Sequence, residues 1–454
     1  MDTKAYDRAR LARDARFDGR FFIGVTTTGI YCRPICPAPS PKAKNIRYFP
    51  SAAAAAEAGF RPCLRCRPEA SPGTPAWLGA SATVSRALKL IGESALDDGG
   101  VDDLADRLGI GSRHLRRLFL RYLGATPVAV AQTRRVHFAK KLIDETNLAM
   151  TQVAMASGFG SVRRFNATFQ NLYGRSPREL RNGHAREMEA GVYTFRLGYR
   201  PPYDWESLIE FLAARAIPGV EFVTAREYRR NILIDGRTGS IAVRPREKNY
   251  LDLQIHYPDA APLFRIVERV RRIFDLGADP SEIERHLERD ARLKELIRRR
   301  AGVRVPGCWD PFEMSVRAVL GQQISVKGAS TLAGRIVEKF GGGGIFPDAR
   351  TLAEADLSGV GLTTQRARTI RELARAVASD GLRFDAAVEV DAFEKKITQI
   401  SGIGPWTAQY IAMRLGEPDA FPAGDLHLKR FAANSEAWRP WRAYAAFYLW
   451  RGSK

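Results

Sequence analysis

The chain has 454 residues, of which 71 are lysine or arginine and 50 aspartate or glutamate, giving a formal net charge of +21. That length exceeds what one hydrophobic core serves, and with 45% hydrophobic residues each stretch of domain size can build a core of its own. Charge of this sign draws a protein to polyanions, and guanidinium forks fit phosphate better than ammonium groups, so nucleic acid is the leading partner class; the plainer reading is a solvated basic surface. No apolar run approaches the roughly 20 residues of a membrane span. The charged start from Met1 to Arg20 lacks the apolar core of a secretion signal. A cytoplasmic protein with no membrane partner is expected. In that reducing compartment cysteines serve metal or thiol chemistry better than disulfides, and four of the five lie before residue 70.

Residues 1–75 contain Cys32-x3-Cys36 and Cys63-x2-Cys66, with 26 residues between the pairs. Two such pairs can close a tetrahedral thiolate site of the kind zinc favours. Arg33, Arg61, Arg65 and Arg67 flank the pairs and would set a thiolate beside a phosphate backbone; on spacing alone, a purely structural zinc knuckle is the simpler reading. The stretch Phe21-Phe22-Ile23-Gly24-Val25-Thr26-Thr27-Thr28-Gly29-Ile30-Tyr31-Cys32-Arg33-Pro34-Ile35-Cys36 closely resembles the N-terminal domain of the Ada adaptive-response proteins. So does Arg61-Pro62-Cys63-Leu64-Arg65-Cys66-Arg67-Pro68. The resemblance spans residues 5–72 and implies one zinc ion on Cys32, Cys36, Cys63 and Cys66. It also implies that Cys32 is the nucleophile that takes a methyl group irreversibly from a DNA methylphosphotriester. Turn residues Ser71-Pro72-Gly73-Thr74-Pro75 close this domain.

Residues 76–188 read as helical and contain a duplication. Leu104-Ala105-Asp106-Arg107-Leu108-Gly109-Ile110-Gly111-Ser112 is echoed by Val153-Ala154-Met155-Ala156-Ser157-Gly158-Phe159-Gly160-Ser161. Each repeat has a short helix, a glycine at the turn and a serine suited to cap the next helix. The second helices open on Arg113 and His114 or on Arg163 and Arg164, positions that face the major groove in a recognition helix. A mere helical scaffold is the alternative. The match to AraC-type DNA-binding domains covers about residues 80–182 and implies two recognition helices in successive major-groove segments, an arrangement that permits action as a monomer.

Residues 189–302 alternate as strands at Tyr193–Leu197, Asn231–Ile234, Ser240–Val243 and Leu251–Ile255, with a hairpin turn at Asp235-Gly236-Arg237-Thr238-Gly239. A small antiparallel sheet with helices on one face is expected. From 303 to 454 the pattern is helical again. Ile400-Ser401-Gly402-Ile403-Gly404-Pro405-Trp406-Thr407-Ala408 reads as a helix-hairpin-helix whose glycines Gly402 and Gly404 turn the backbone and present amides to a phosphate. Alone it is a generic grip on DNA. About twenty residues on comes Phe421-Pro422-Ala423-Gly424-Asp425-Leu426, and an aspartate at that spacing resembles the helix-hairpin-helix, Gly-Pro and Asp glycosylases. Within them the likeness is to the AlkA type of 3-methyladenine glycosylase, from about Val192 to Lys454, including Leu320-Gly321-Gln322-Gln323-Ile324-Ser325 and Pro440-Trp441-Arg442-Ala443-Tyr444.

By that resemblance Asp425 is the carboxylate that stabilises a cationic sugar, although a lone aspartate is more often a helix cap. Trp406, Tyr410 and Trp450 line the base pocket, where ring faces attract an alkylated, cationic purine; core packing is the plainer role for each. Gln323 stands at the wedge position, where the best-studied member of the family inserts a leucine into the stack vacated by the flipped nucleotide. Strand-cutting relatives carry a lysine where this chain has Trp406, so a monofunctional enzyme is expected. A terminal four-cysteine cluster does not occur, so no iron-sulfur cluster is expected, and without a Pro-Cys-His-Arg motif no O6-methylguanine repair is expected.

The fold class expected is multi-domain α+β: a small zinc domain, an all-α double helix-turn-helix, a small antiparallel sheet with helices and an all-α glycosylase domain. The function expected is excision of alkylated purines coupled to methyl acceptance and transcription regulation. The partners are double-stranded DNA and, at regulated promoters, RNA polymerase. Two rivals stand beside it: a regulator whose glycosylase half only helps bind DNA, and an enzyme whose front half only anchors it, with structural zinc.

Overall fold

The computed structural model describes residues 3–73, 82–97, 99–181, 189–384 and 390–452. The expected domain boundaries at 75 and 188 lie outside the described residues. The chain forms two compact units, one of Met1–Pro201, Arg246–Glu268 and Leu276–Asp279, the other of Pro202–Pro245, Arg269–Asp275 and Pro280–Lys454.

The first unit opens with helix α1 (Thr3–Leu11) and four strands, β1 (Phe22–Val25), β2 (Ile30–Cys32), β3 (Ile46–Phe49) and β4 (Arg61–Pro62). Their order is β3-β1-β2-β4, with β1 antiparallel to β2 and β3, and β4 parallel to β2. The alanine run folds as α2 (Ala52–Glu57), capped by Ser51, whose Oγ accepts the Ala54 N–H at 3.0 Å. Small side chains let this helix approach closely, and Ala53, Ala54 and Ala55 share one core with Phe22, Tyr31, Phe49 and Phe60.

Among the described residues seven helices follow: α3 (Ala82–Gly92), α4 (Val101–Arg107), α5 (Ser112–Leu123), α6 (Pro127–Glu145), α7 (Met150–Ala156), α8 (Val162–Tyr173) and α9 (Pro177–Leu180). The repeat is visible in three dimensions. Gly109 and Gly158 take φ of +68° and +77° at the two turns, which only glycine adopts freely. Leu115, Phe119 and Leu123 on α5 are buried as Phe165, Phe169 and Tyr173 are on α8, a spacing of four that puts each trio on one helix face. The two starts differ. Ser161 caps α8 by accepting the Arg164 N–H at 3.2 Å, as expected, whereas α5 already begins at Ser112 and Gly111 takes the cap position without a side chain.

The strand region contains β5 (Val192–Gly198), β6 (Glu221–Thr224), β7 (Glu227–Ile234), β8 (Arg237–Arg246) and β9 (Tyr250–His256), with α10 (Trp205–Ala214) between β5 and β6. β5 pairs antiparallel with β9, and β6, β7 and β8 form an antiparallel meander. The four expected strands fall within β5, β7, β8 and β9; β6, too short for a visible alternation, was not foreseen. The hairpin turn is tighter than the five residues expected: only Asp235 and Gly236, both at positive φ, make it, and Arg237, Thr238 and Gly239 already pair with Ile234, Leu233 and Ile232 in β8. The remaining helices are α11 (Leu263–Ile273), α12 (Pro280–Leu287), α13 (Ala291–Arg299), α14 (Pro311–Leu320), α15 (Val326–Phe340), α16 (Ala349–Glu354), α17 (Thr364–Ala378), α18 (Val390–Ile397), α19 (Pro405–Arg414) and α20 (Arg442–Arg451). α14 packs against α15, α17 and α19, which brings the loops before α15, α17 and α19 together. Among the described residues no helix is long and apolar enough to cross a membrane.

Candidate functional site

In the first unit the cysteine pairs are brought together by backbone pairing. β2 ends on Cys32, and Cys36 N donates to Arg33 O at 3.1 Å, turning the first pair inward. β4 runs beside β2, so that Cys63 N donates to Tyr31 O at 3.0 Å and the second pair arrives alongside. Arg67 then turns the chain at φ +52°, its N–H donating to Cys63 O. The four Sγ atoms lie within 4.8 Å of one another. A tetrahedral ion with sulfurs at about 2.3 Å holds them about 3.8 Å apart, so the donor set fits zinc. Hydrogen bonds among the sulfurs, those with Cys32 foremost, lower the Cys36 thiol to about 7 and lower Cys63 further. The same crowding raises Cys66 and, chiefly through Cys36, Cys32. Thiols this close share protons that a divalent cation displaces.

The flanking arginines depart from expectation. Arg33, 3% exposed, donates to both oxygens of Asp18 and to Cys66 O at 3.0 Å, while its backbone N–H donates to Cys66 Sγ at 3.4 Å. Arg67 pairs with Glu69, Asp144 and Glu145. These two side chains therefore brace the cysteine loops and are not free for phosphate. Arg65 is exposed and Arg61 half-buried. On the recognition helices Arg113, His114, Arg163 and Arg164 are all exposed in the first turn, and Arg117 donates to His114 Nδ1 at 2.9 Å.

In the second unit three loops meet at the start of α19. Gly402 has φ +89°, and a Cβ there would stand 2.2 Å from Thr369 Oγ1, so the hairpin admits only glycine at this position. Gly404 is extended and caps α19, and a Cβ there would meet nothing. Thr369 Oγ1 donates to Ser401 O at 2.8 Å, and Gln322 Nε2 donates to Gly402 O and to Thr407 Oγ1, both at 2.9 Å. Arg366 in turn donates to Gln322 O at 2.6 Å. Sequence reasoning did not single out Gln322, Arg366 or Thr369. Only Gln322, inside the quoted Leu320–Ser325 stretch, carried a signal. Beside it, Gln323 is exposed in left-handed backbone at φ +55°, a strained conformation for a residue with a Cβ.

α19 sets Trp406 and Tyr410 one turn apart, and their rings stack with centroids 5.6 Å apart and planes 2° apart. Trp450 on α20 meets Tyr410 edge-on at 6.4 Å. The Asp425 loop lies against this wall, Gly424 being close to Trp406. Asp425 Oδ1 accepts from Trp450 Nε1 at 2.9 Å, His427 N at 2.9 Å and Leu428 N at 3.3 Å. Its other oxygen accepts no hydrogen bond from the described residues. All four side chains are half-buried, the exposure expected of a pocket wall. Burial pushes the Tyr410 phenol up, but the Arg414, Arg215 and Arg317 guanidiniums outweigh it and hold the group below the usual tyrosine value; Arg414 donates to its oxygen at 3.2 Å. The arrangement offers one fixed carboxylate oxygen beside stacked ring faces.

Four family models match the chain in succession. Residues 5–69 match the metal binding domain of Ada, 104–183 a helix-turn-helix domain, 194–310 the AlkA N-terminal domain and 316–449 the HhH-GPD superfamily of base excision DNA repair proteins. The chain is 41% identical to the probable bifunctional transcriptional activator/DNA repair enzyme AlkA of Mycobacterium tuberculosis, over 98% of this chain and 95% of that protein. It is 32% identical to DNA-3-methyladenine glycosylase 2 of Escherichia coli over 56% of this chain and 96% of that one. It is also 32% identical to the bifunctional transcriptional activator/DNA repair enzyme AdaA of Bacillus subtilis, over 38% of this chain and 80% of that one. The four-cysteine cluster is thus the zinc site of an Ada-type domain, and the chain belongs to the family of AlkA-type bifunctional transcriptional activators and DNA repair enzymes.

Proposed function

We propose that the protein excises alkylated purines such as 3-methyladenine from duplex DNA by hydrolysing the N-glycosidic bond, and that it accepts methyl groups from DNA phosphotriesters on Cys32. The carrying observation is the Asp425 carboxylate, tied through Oδ1 to Trp450 and two backbone N–H groups with Oδ2 left open beside the Trp406–Tyr410–Trp450 wall. A flipped cationic purine stacks on the rings. As the C1′–N bond breaks, its electron pair leaves with the base. The Asp425 carboxylate faces the positive charge that develops on the sugar and orients the water whose oxygen bonds to C1′ as its proton passes to that carboxylate and on to solvent. Trp406 supplies no amine, so the sugar does not become covalently attached and the strand is not cut.

At the other centre one zinc ion, when bound, keeps the four sulfurs as thiolates. Cys32 Sγ attacks the phosphotriester methyl carbon, an S–C bond forms, the C–O bond breaks and the phosphodiester anion leaves, so the cysteine is consumed. Arg113, His114, Arg163 and Arg164 read the operator from the two recognition helices, and RNA polymerase is the partner at the promoters so bound. The domains proposed are 1–75, 76–188, 189–302 and 303–454. The test is release of 3-methyladenine from methylated duplex DNA by the wild type and by Asp425→Asn. The substitution is expected to lower release at least about a hundredfold while DNA binding persists. Equal release by both would remove Asp425 from the reaction, and none by either would favour the regulator reading.

A further inference from the structure

A residue that holds a nucleotide out of a duplex must fill the space the base vacates. Apolar side chains do so readily, because they give up no hydrogen bonds to water on entering the stack. Gln323 fits that task only in part. Its primary amide has an acceptor and two donors to desolvate, with stacked base faces offering little in return.

The Asp425 loop presents what Gln323 lacks. Leu426 is 72% exposed, more than any other large hydrophobic residue among those described. It is also fixed. Asp425 Oδ1 accepts the N–H groups of His427 and Leu428 on its far side, Lys429 N donates to Asp425 O at 2.8 Å, and Leu428 is fully buried beneath. The turn therefore holds the Leu426 side chain in the open with little freedom to fold back. Adjacent Cα atoms are about 3.8 Å apart, so Leu426 lies within a base-pair step or two of the sugar that Asp425 faces, each step being about 3.4 Å. The wedge loop stands across the same helix start. Gln322 binds Thr407, Gly424 lies on Trp406, and Ile324 beside Gln323 is 37% exposed.

We propose that Leu426 is a second insertion residue, entering the stack from the Asp425 loop and acting with Gln323 to keep the damaged nucleotide extrahelical. The inference rests on the glycosylase reading above. On this account the polar wedge is workable because the apolar surface needed for unstacking is supplied from the opposite loop.

The experiment uses the full chain and a duplex with 7-methylguanine next to 2-aminopurine, whose fluorescence rises on unstacking. Flipping is read in the Asp425→Asn background and excision kinetics with Asp425 intact, for Leu426→Ala, Leu426→Met and Gln323→Ala. Leu426→Ala is expected to lose most of the fluorescence rise and about tenfold in kcat/KM, while its melting temperature and its binding to undamaged duplex stay as in the wild type. Leu426→Met, which keeps an apolar chain of similar length, should retain both signals. Three results overturn the proposal. Leu426→Ala could match the wild type within about twofold in flipping and kcat/KM. It could flip normally and lose only kcat, which would make Leu426 a positioning residue for Asp425. Or Leu426→Met could fail as Leu426→Ala does, which would make the loss conformational. If the wild type neither flips nor excises, the glycosylase reading falls and takes this inference with it; if the wild type does both, only the role of Leu426 is at stake.

Discussion

The zinc centre draws all its ligands from the stretch between Cys32 and Cys66, with Cys63 and Cys66 buried and a buried Arg33–Asp18 pair locking the loops around them. The proposed base pocket instead collects Trp406, Asp425 and Trp450 from separate segments, and each remains half-buried. One site is built from its own neighbourhood in sequence; the other is a half-buried wall beside a hairpin that Gln322, Arg366 and Thr369 hold from behind. On the proposed reading this matches their use. Cys32 and Cys36 stay half-buried where DNA can reach them, while the two cysteines behind them are enclosed; a sulfur consumed once needs no exit path. A carboxylate that turns over must admit a nucleotide and release a base.

That contrast can be broken in several places. The largest effect on the enclosed centre is expected for Arg33→Ala, which strands the buried Asp18 carboxylate. It should destabilise the zinc domain by about 3–5 kcal/mol, read as zinc lost to a chelator at lower urea, with base release unchanged. Coupled loss of both would show that the centres are not independent.

Acid sharpens the contrast further. His137 on α6 lies 2.9 Å from the Tyr31 hydroxyl, and burial lowers its pKa from 6.5 to about 4. A histidine whose folded pKa is depressed adds stability that is present above pH 6.5 and lost as the pH falls toward 4. The loss is worth up to about 3 kcal/mol. Wild type should therefore lose more stability over that window than His137→Gln, in unfolding followed from the helix-turn-helix region; equal losses would remove His137 as the cause. In the open site the two hairpin glycines should part company. Gly402→Ala drives a Cβ into Thr369 and needs a strained φ, costing about 1–3 kcal/mol, seen as a raised KM for DNA. Gly404→Ala meets open space and should cost under about 1 kcal/mol. Similar effects at both would mean that backbone strain does not shape the hairpin.

The same contrast explains what could be read from sequence. Ligands close in the chain declare themselves by spacing, as the cysteine pairs do, and repeated helices by their glycines and buried spacing of four. Alternation marked the long strands β5, β7, β8 and β9 and none of the short ones, β1 to β4 and β6, which have four residues or fewer. Asp18 gave no sign that it would claim Arg33, because the pairing is made by tertiary packing across 15 residues. Thr369 and Arg366 are ordinary helix residues whose role exists only once α17 lies against the hairpin. The supports of an open site are dispersed in sequence, and that is why only its front wall was legible.

The central claim is that one chain carries a consumed sulfur and a recycled carboxylate. Following the label from duplex DNA methylated with radioactive methyl groups tests it directly. Protein-bound label should rise to one methyl per chain, on Cys32, and stop, while label in free 3-methyladenine keeps rising with time. No label on protein, or base release that also stops at one per chain, would contradict the account.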